Sequence, residues 1–156
     1  MRRGRSGDGP LMRSFIQTVT IDRSPAQVWA FMMDFDKASL WRNHVRDMRI
    51  VTDGPLRAGS EVEIGFDLPG GRRTSRCEVW VFETARRFGL RTTSKQLTAT
   101  FEYVLAPAGA GTAITYTCDI RPRGVMWLLL PMMMRGNAER YAGQLAGLKR
   151  AIERGG

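Results

Sequence analysis

The pair of side chains best suited to acid–base chemistry is Arg76 and Glu78, two apart in the run Arg76-Cys77-Glu78-Val79-Trp80-Val81-Phe82. In an extended strand, residues i and i+2 share a face. With the even-numbered face inward, a guanidinium and a carboxylate enter the interior together. Burial beside an opposite charge tunes such groups for proton transfer, and these two are the candidate catalytic residues. Apolar residues occupy both parities of the run, so the register stays open; the other register makes the two a cross-strand surface pair. Tyr103, Tyr116 and Tyr141 can donate protons but are poor bases near neutrality. His44 is the one histidine, the residue type most often used as a general base. No carboxylate is visibly set to orient it, and it reads as a surface residue at a helix-to-strand junction. Cys77 and Cys118 stand outside any Cys-x-x-Cys and lack neighbouring ligands. No metal site is therefore expected, and the thiols read as buried and free. With no Gly-rich phosphate loop and no Gly-x-Ser-x-Gly or His-Glu-x-x-His run, no cofactor is expected either.

A second set of residues suits binding. In the last two strand-like segments Tyr103 shares a parity with Phe101 and Leu105, and Tyr116 and Cys118 share one with Ile114 and Ile120. Near the C-terminus, Trp127, Met134, Ala138, Tyr141, Leu145, Leu148 and Ile152 recur at helical spacing, with Asn137 at the border of their stripe. Such apolar walls with a few hydroxyls suit a hydrophobic ligand with polar groups. They serve equally as core packing. The candidate ligand-binding residues are Tyr103, Tyr116, Cys118, Trp127, Met134, Asn137 and Tyr141. Met126 and Met132 to Met134 would make an adaptable mouth. The same segment, flanked by Arg121, Arg123 and Arg135, also has the make-up of an interfacial helix for transient membrane contact. The alternative is a helix packed onto the sheet.

These residues need elements to hold them. Alternating runs predict strands over 14–21, 45–51, 61–68, 72–83, 88–93, 97–105 and 112–120, separated by Gly and Pro turns. After the first, Ser24 and Pro25 open a short helix carrying Val28, Phe31, Met32 and Phe35, and Asp36 opens a second with Leu40 and Trp41. After Pro122 and Gly124 the period changes to that of a long amphipathic helix over 125–153, with Pro131 as its bend or true start. An antiparallel sheet needs one face covered, and this helix is the element with the apolar area to cover it. The fold class is α+β: a seven-stranded antiparallel curved sheet wrapped around a long C-terminal helix, with two short helices after the first strand. Residues 1–12 read as a flexible basic tail and 13–154 as a single domain.

The 156 residues, 43% hydrophobic and 25% charged, exclude wholesale disorder and a disulfide-stapled miniprotein. The net charge is +9, and all but Lys37, Lys95 and Lys149 of the 24 basic residues are arginines. They are scattered through every segment, whereas nucleic-acid binding wants them on one face, so no nucleic acid is expected as a partner. The longest apolar run, 125–134, is too short to span a bilayer, and the first 13 residues show no secretory h-region. A cytoplasmic location is expected.

The order and spacing of several residues resemble one superfamily. They are the run Ile21 to Phe31, then Asp34, Trp41, Gly59, the segment Glu83 to Arg87, Gly111-Thr112, Gly124, Pro131 and the run Leu148 to Glu153. Over residues 14–154 the chain is similar to the START-like, Bet v 1-like (SRPBCC) superfamily, and within it to the polyketide cyclase/dehydrase group. The family's usual pair of prolines before two arginines is replaced by Thr84-Ala85. The resemblance implies a helix-grip fold with a cavity between sheet and long helix. It also implies one of three roles. The first is binding of a hydrophobic small molecule such as a lipid, fatty acid or polyketide. The others are cofactor-independent aromatisation or dehydrating cyclisation of a poly-β-ketone, and a protein-binding module of the chaperone-activator type.

Overall fold

Seven alternating segments pair into one antiparallel sheet in the computed structural model, which describes residues 12–129, 131–132 and 143–155. The strands are β1 (Met12–Ile21), β2 (Val45–Ile50), β3 (Glu61–Leu68), β4 (Gly71–Glu83), β5 (Arg87–Thr93), β6 (Leu97–Ala108) and β7 (Gly111–Pro122). Their order across the sheet is β1-β7-β6-β5-β4-β3-β2. Strands β2 to β7 form a meander, and β1 closes on β7 with Val19 beside Ile114 and Ile21 beside Thr112. Each corresponds to an expected strand. Met12 already belongs to β1, and residues 1–11 of the expected tail lie outside the described residues.

β1 and β2 are the two edges, so the chain between them must cross the sheet. It does so as α1 (Pro25–Met33), a 3-10 turn (Phe35–Lys37) and α2 (Ala38–Trp41). Ser24 caps α1 by accepting from the Gln27 amide, and the Gln27 side chain accepts from the Ser24 amide, so two of the free N–H groups at the helix start are satisfied. Pro25 needs no hydrogen bond there. Val28, Trp29, Phe31 and Met32 bury against the sheet. The C-terminal helix, Gln144–Gly155, packs on β1 and α2. Leu145, Leu148 and Ile152 of the expected stripe are at most 1% exposed. At Gly147 a Cβ would stand 3.2 Å from the Trp41 carbonyl oxygen, so a glycine permits this close approach to α2. Two polar ties fix the helix to the end of β1: Lys149 Nζ donates to the Thr20 carbonyl at 2.7 Å, and the Asp22 amide donates to Glu153 at 3.1 Å. The helix expected over 125–153 is thus described at its ends. Residues 126–129 and 131–132 are helical, and its middle, with Met134, Asn137 and Tyr141, lies outside the described residues.

A bulge in β4 decides which side chains face inward. Val79 pairs with Leu90, but the next pair is Val81 with Gly89, so Trp80 is the extra residue. Trp80 and Val81 both lie over Gly89, where a Cβ would stand 2.5 Å from the indole nitrogen and 2.6 Å from a valine methyl. The bulge reverses the strand's parity. Cys77 and Val79 face inward before it, and Phe82 does so after it, against Trp29 and Phe88.

Candidate ligand cavity

α2 is one turn long and ends in extended backbone at Arg42 (φ −90°, ψ 122°). That change of direction sends the Arg42 side chain under the sheet, where the residue is 8% exposed. Its guanidinium carbon stands 4.4 Å from the centre of the Trp41 ring and 5.3 Å from that of Tyr103. Arg42 lines a cavity of about 230 Å³ between the inner faces of β3 to β7 and the start of the C-terminal helix. Ile64, Phe66, Leu90, Phe101 and Tyr116 give it apolar walls. The polar part of the lining is Arg42 with Asn43, Ser75, Thr92, Gln144, the Cys77 thiol and the Tyr103 hydroxyl.

The aromatic side chains there brace one another. Tyr103 lies 4.8 Å from Tyr116 and meets Trp41 edge-on at 5.8 Å, and Phe101 stacks on Tyr116 at 6.5 Å. Gln144 Nε2 donates to the Tyr103 hydroxyl at 2.5 Å, and both residues are buried. Burial pushes the Tyr103 phenol above its ordinary range, against the lowering influence of Arg42, and pushes the Cys77 thiol up in the same way. Both groups are therefore neutral near pH 7. Among the described residues, Nε and Nη2 of Arg42 are buried without a hydrogen-bond partner, and no Asp, Glu or His lines the cavity.

The candidate catalytic pair is elsewhere. The inner face of β4 presents Cys77 (5% exposed) and Val79 (0%), so Arg76 and Glu78 point out from the opposite face. Arg76 pairs with Glu61 at 3.7 Å and Glu63 at 3.5 Å, and Glu78 pairs with Arg91 at 2.9 Å. They belong to a cross-strand charge ladder on the outer surface, where such pairs are weak, and not to the cavity. Tyr103 and Tyr116 line the cavity. Cys118 is buried on the same face of β7 but is not part of the cavity wall. Trp127, expected to face the sheet, is 43% exposed and away from the wall. His44 is exposed at the junction before β2. Arg42, Cys77 and Gln144 escaped the sequence reading. Gln144 had a signal, because it sits at helical spacing three after Tyr141 and four before Leu148. Arg42 had none that set it apart from the other arginines.

The sheet, the crossing helices and the C-terminal helix are those of the START-like, Bet v 1-like helix-grip fold. The crystal structure of the di-domain ARO/CYC StfQ from the steffimycin biosynthetic pathway matches with a TM-score of 0.72 at 13% identity, over 92% of this chain and 51% of that one. This chain thus spans about half the length of that protein. The START superfamily protein from Mycobacterium smegmatis matches at 0.70 and 14% identity, over 94% and 99%. The Zhui aromatase/cyclase from Streptomyces sp. R1128 matches at 0.69 and 18%, over 93% and 95%. At these identities the likeness establishes the fold. No curated protein matches the chain. The chain belongs to the family described as polyketide cyclase / dehydrase and lipid transport, whose model matches residues 12–153.

Proposed function

We propose that this protein binds a hydrophobic small molecule, such as a lipid, fatty acid or polyketide, in the cavity beneath the sheet, and that it does so in the cytoplasm. The observation that carries this is the cavity itself, with apolar walls and a few polar groups among them, the usual make-up of a ligand site. A filled core would have favoured the protein-binding module. The test is native mass spectrometry of the purified protein, followed by denaturing extraction. The expected result is an adduct of a few hundred daltons, the size class such cavities hold. In Cys77→Phe, which fills the space with a ring, the adduct disappears while the melting temperature is kept or raised. An adduct retained in that variant, or no extracted compound and no stabilisation by a lipid panel, would sink the proposal.

Aromatase/cyclase activity is the second reading. What favours it is the Arg42 guanidinium beside a neutral Tyr103 phenol, a cation to stabilise an enolate oxygen and an acid to protonate one. It stands second because the described lining offers no carboxylate or imidazole as base. Turnover of a poly-β-ketone that disappears in Tyr103→Phe, with binding retained, would put it first.

A carrier must also load and unload. Val125, Leu128 and Met132 are 74%, 83% and 77% exposed beside Trp127, and Arg121 and Arg123 stand just before them. Transient contact of this segment with an anionic membrane surface belongs to the same proposal. No helix among the described residues is long and apolar enough to cross a membrane.

A further inference from the structure

Arg42 is the most costly residue of the cavity. A guanidinium is always charged, and a buried charge is tolerated when it is paired and hydrogen-bonded. Arg42 is more than nine-tenths buried, yet no described carboxylate lies within ion-pair distance of it. The polar residues that line the cavity with it are Asn43, then Ser75 and Cys77 from β4, Thr92 from β5, Tyr103 from β6 and Gln144 from the C-terminal helix, and none supplies a negative charge near neutral pH. Contact with the Trp41 and Tyr103 rings recovers part of the lost hydration, but ring faces accept no N–H hydrogen bond of full strength. The two donors left over are Nε and Nη2. Their hydrogens project from the same edge of the guanidinium plane, side by side, at the spacing of the two oxygens of a carboxylate. The rest of the polar cluster is directional too. Gln144 is fixed on the Tyr103 hydroxyl.

We infer that the ligand is an apolar carboxylic acid, whose carboxylate receives both hydrogens of this edge when the Arg42 side chain, whose two donors are covered in this structure, turns them to the cavity, while its apolar body lies against Ile64, Leu90 and Phe101. The inference rests on the binding role proposed above and names the head group of its ligand. It explains why an arginine stands in a cavity with no acid to partner it: the partner arrives with the ligand. A lysine would supply charge without the paired, coplanar donors.

The test uses matched probes on the full-length, delipidated protein, followed by calorimetric titration and thermal shift. Octanoate and 2-naphthoate are compared with 1-octanol and 2-naphthalenemethanol. In the wild type at least one acid is expected to bind tenfold or more tighter than its alcohol. Arg42→Gln and Arg42→Met should bring acid and alcohol to within about threefold of each other, and Arg42→Lys should recover only part of the preference. Without ligand, Arg42→Met should melt at the wild-type temperature or above, because it removes a buried charge that had no partner. Equal affinity of acid and alcohol in the wild type would overturn the carboxylate assignment and leave the binding role standing. A lower melting temperature for ligand-free Arg42→Met would overturn it too, by making Arg42 a structural prop on Trp41 and Tyr103. If no acid, alcohol or extracted lipid binds at all, both the assignment and the binding role fail.

Discussion

His44 and Ala85 are the non-glycine residues that the described backbone holds at positive φ, at 63° and 59°. A side chain in that region costs roughly 1–2 kcal/mol. At His44 the conformation turns the chain from α2 into β2, and the His44 carbonyl accepts from the Asp67 amide at 2.9 Å. The imidazole itself is exposed. His44→Gly is therefore expected to raise stability by about 0.5–1 kcal/mol, after the entropy of the freer unfolded chain is set against the relieved strain. Ligand affinity should not change; urea unfolding and a binding titration would show both. Loss of binding in this variant would give the imidazole a role that its exposure denies it. Ala85 accounts for the departure from the family's paired prolines, since a proline ring holds φ near −65° and cannot take this turn. The site was legible in the sequence only where parity or spacing spoke. Tyr103 and Tyr116 were placed by the clean alternation of β6 and β7. Arg42 was hidden because it lies in neither a strand nor a helix. A single extended residue after one helical turn turns it inward, and no periodicity marks such a step.

The strands and α1 were legible because each has one buried face or a cap with its own chemistry. β4 was the exception. Its bulge at Trp80 exchanges the two faces toward the end of the strand, so a strand read at a fixed period of two places Arg76 and Glu78 in doubt. Gly89 was the trace of that bulge, a strand glycine whose missing side chain makes room for Trp80 and Val81. The C-terminal helix makes a prediction of its own. Hydrogen bonding from Lys149, and then from the Asp22 amide, holds the Glu153 carboxyl below its ordinary value of 4.5. A carboxyl lowered in the folded state adds stability that is complete above its unfolded value. That stability is lost as pH falls through the lower, folded value. Glu153→Gln is thus expected to be less stable than the wild type at pH 7. The gap should close as pH drops below about 4.5, the ordinary value from which the shift starts. Unfolding titrations at several pH values test this, and a gap constant down to pH 2 would remove Glu153 from the tie between helix and β1.

The proposed membrane contact is tested at the exposed apolar segment that follows the last strand. Leu128→Asp puts a charge where the side chain is 83% exposed. Stability should change by no more than about 0.5 kcal/mol, as for most surface changes. Co-sedimentation with phosphatidylglycerol-containing vesicles should fall several-fold. A wild type that stays in the supernatant, or a variant that sediments equally, would refute the membrane contact. Ligand occupancy should be unchanged in the variant, which separates docking from binding.

The closing of β1 on β7 has a consequence for synthesis. Thr18 and Thr115, which touch across that pair, are 97 residues apart. At translation rates of about 5–20 residues per second, the first strand waits roughly 5–20 s for its partner to emerge. Throughout that time its backbone donors and acceptors are open to any other strand. The first strand of this sheet to be made is thus the last to be paired, and its open edge exposes the nascent sheet to misassociation.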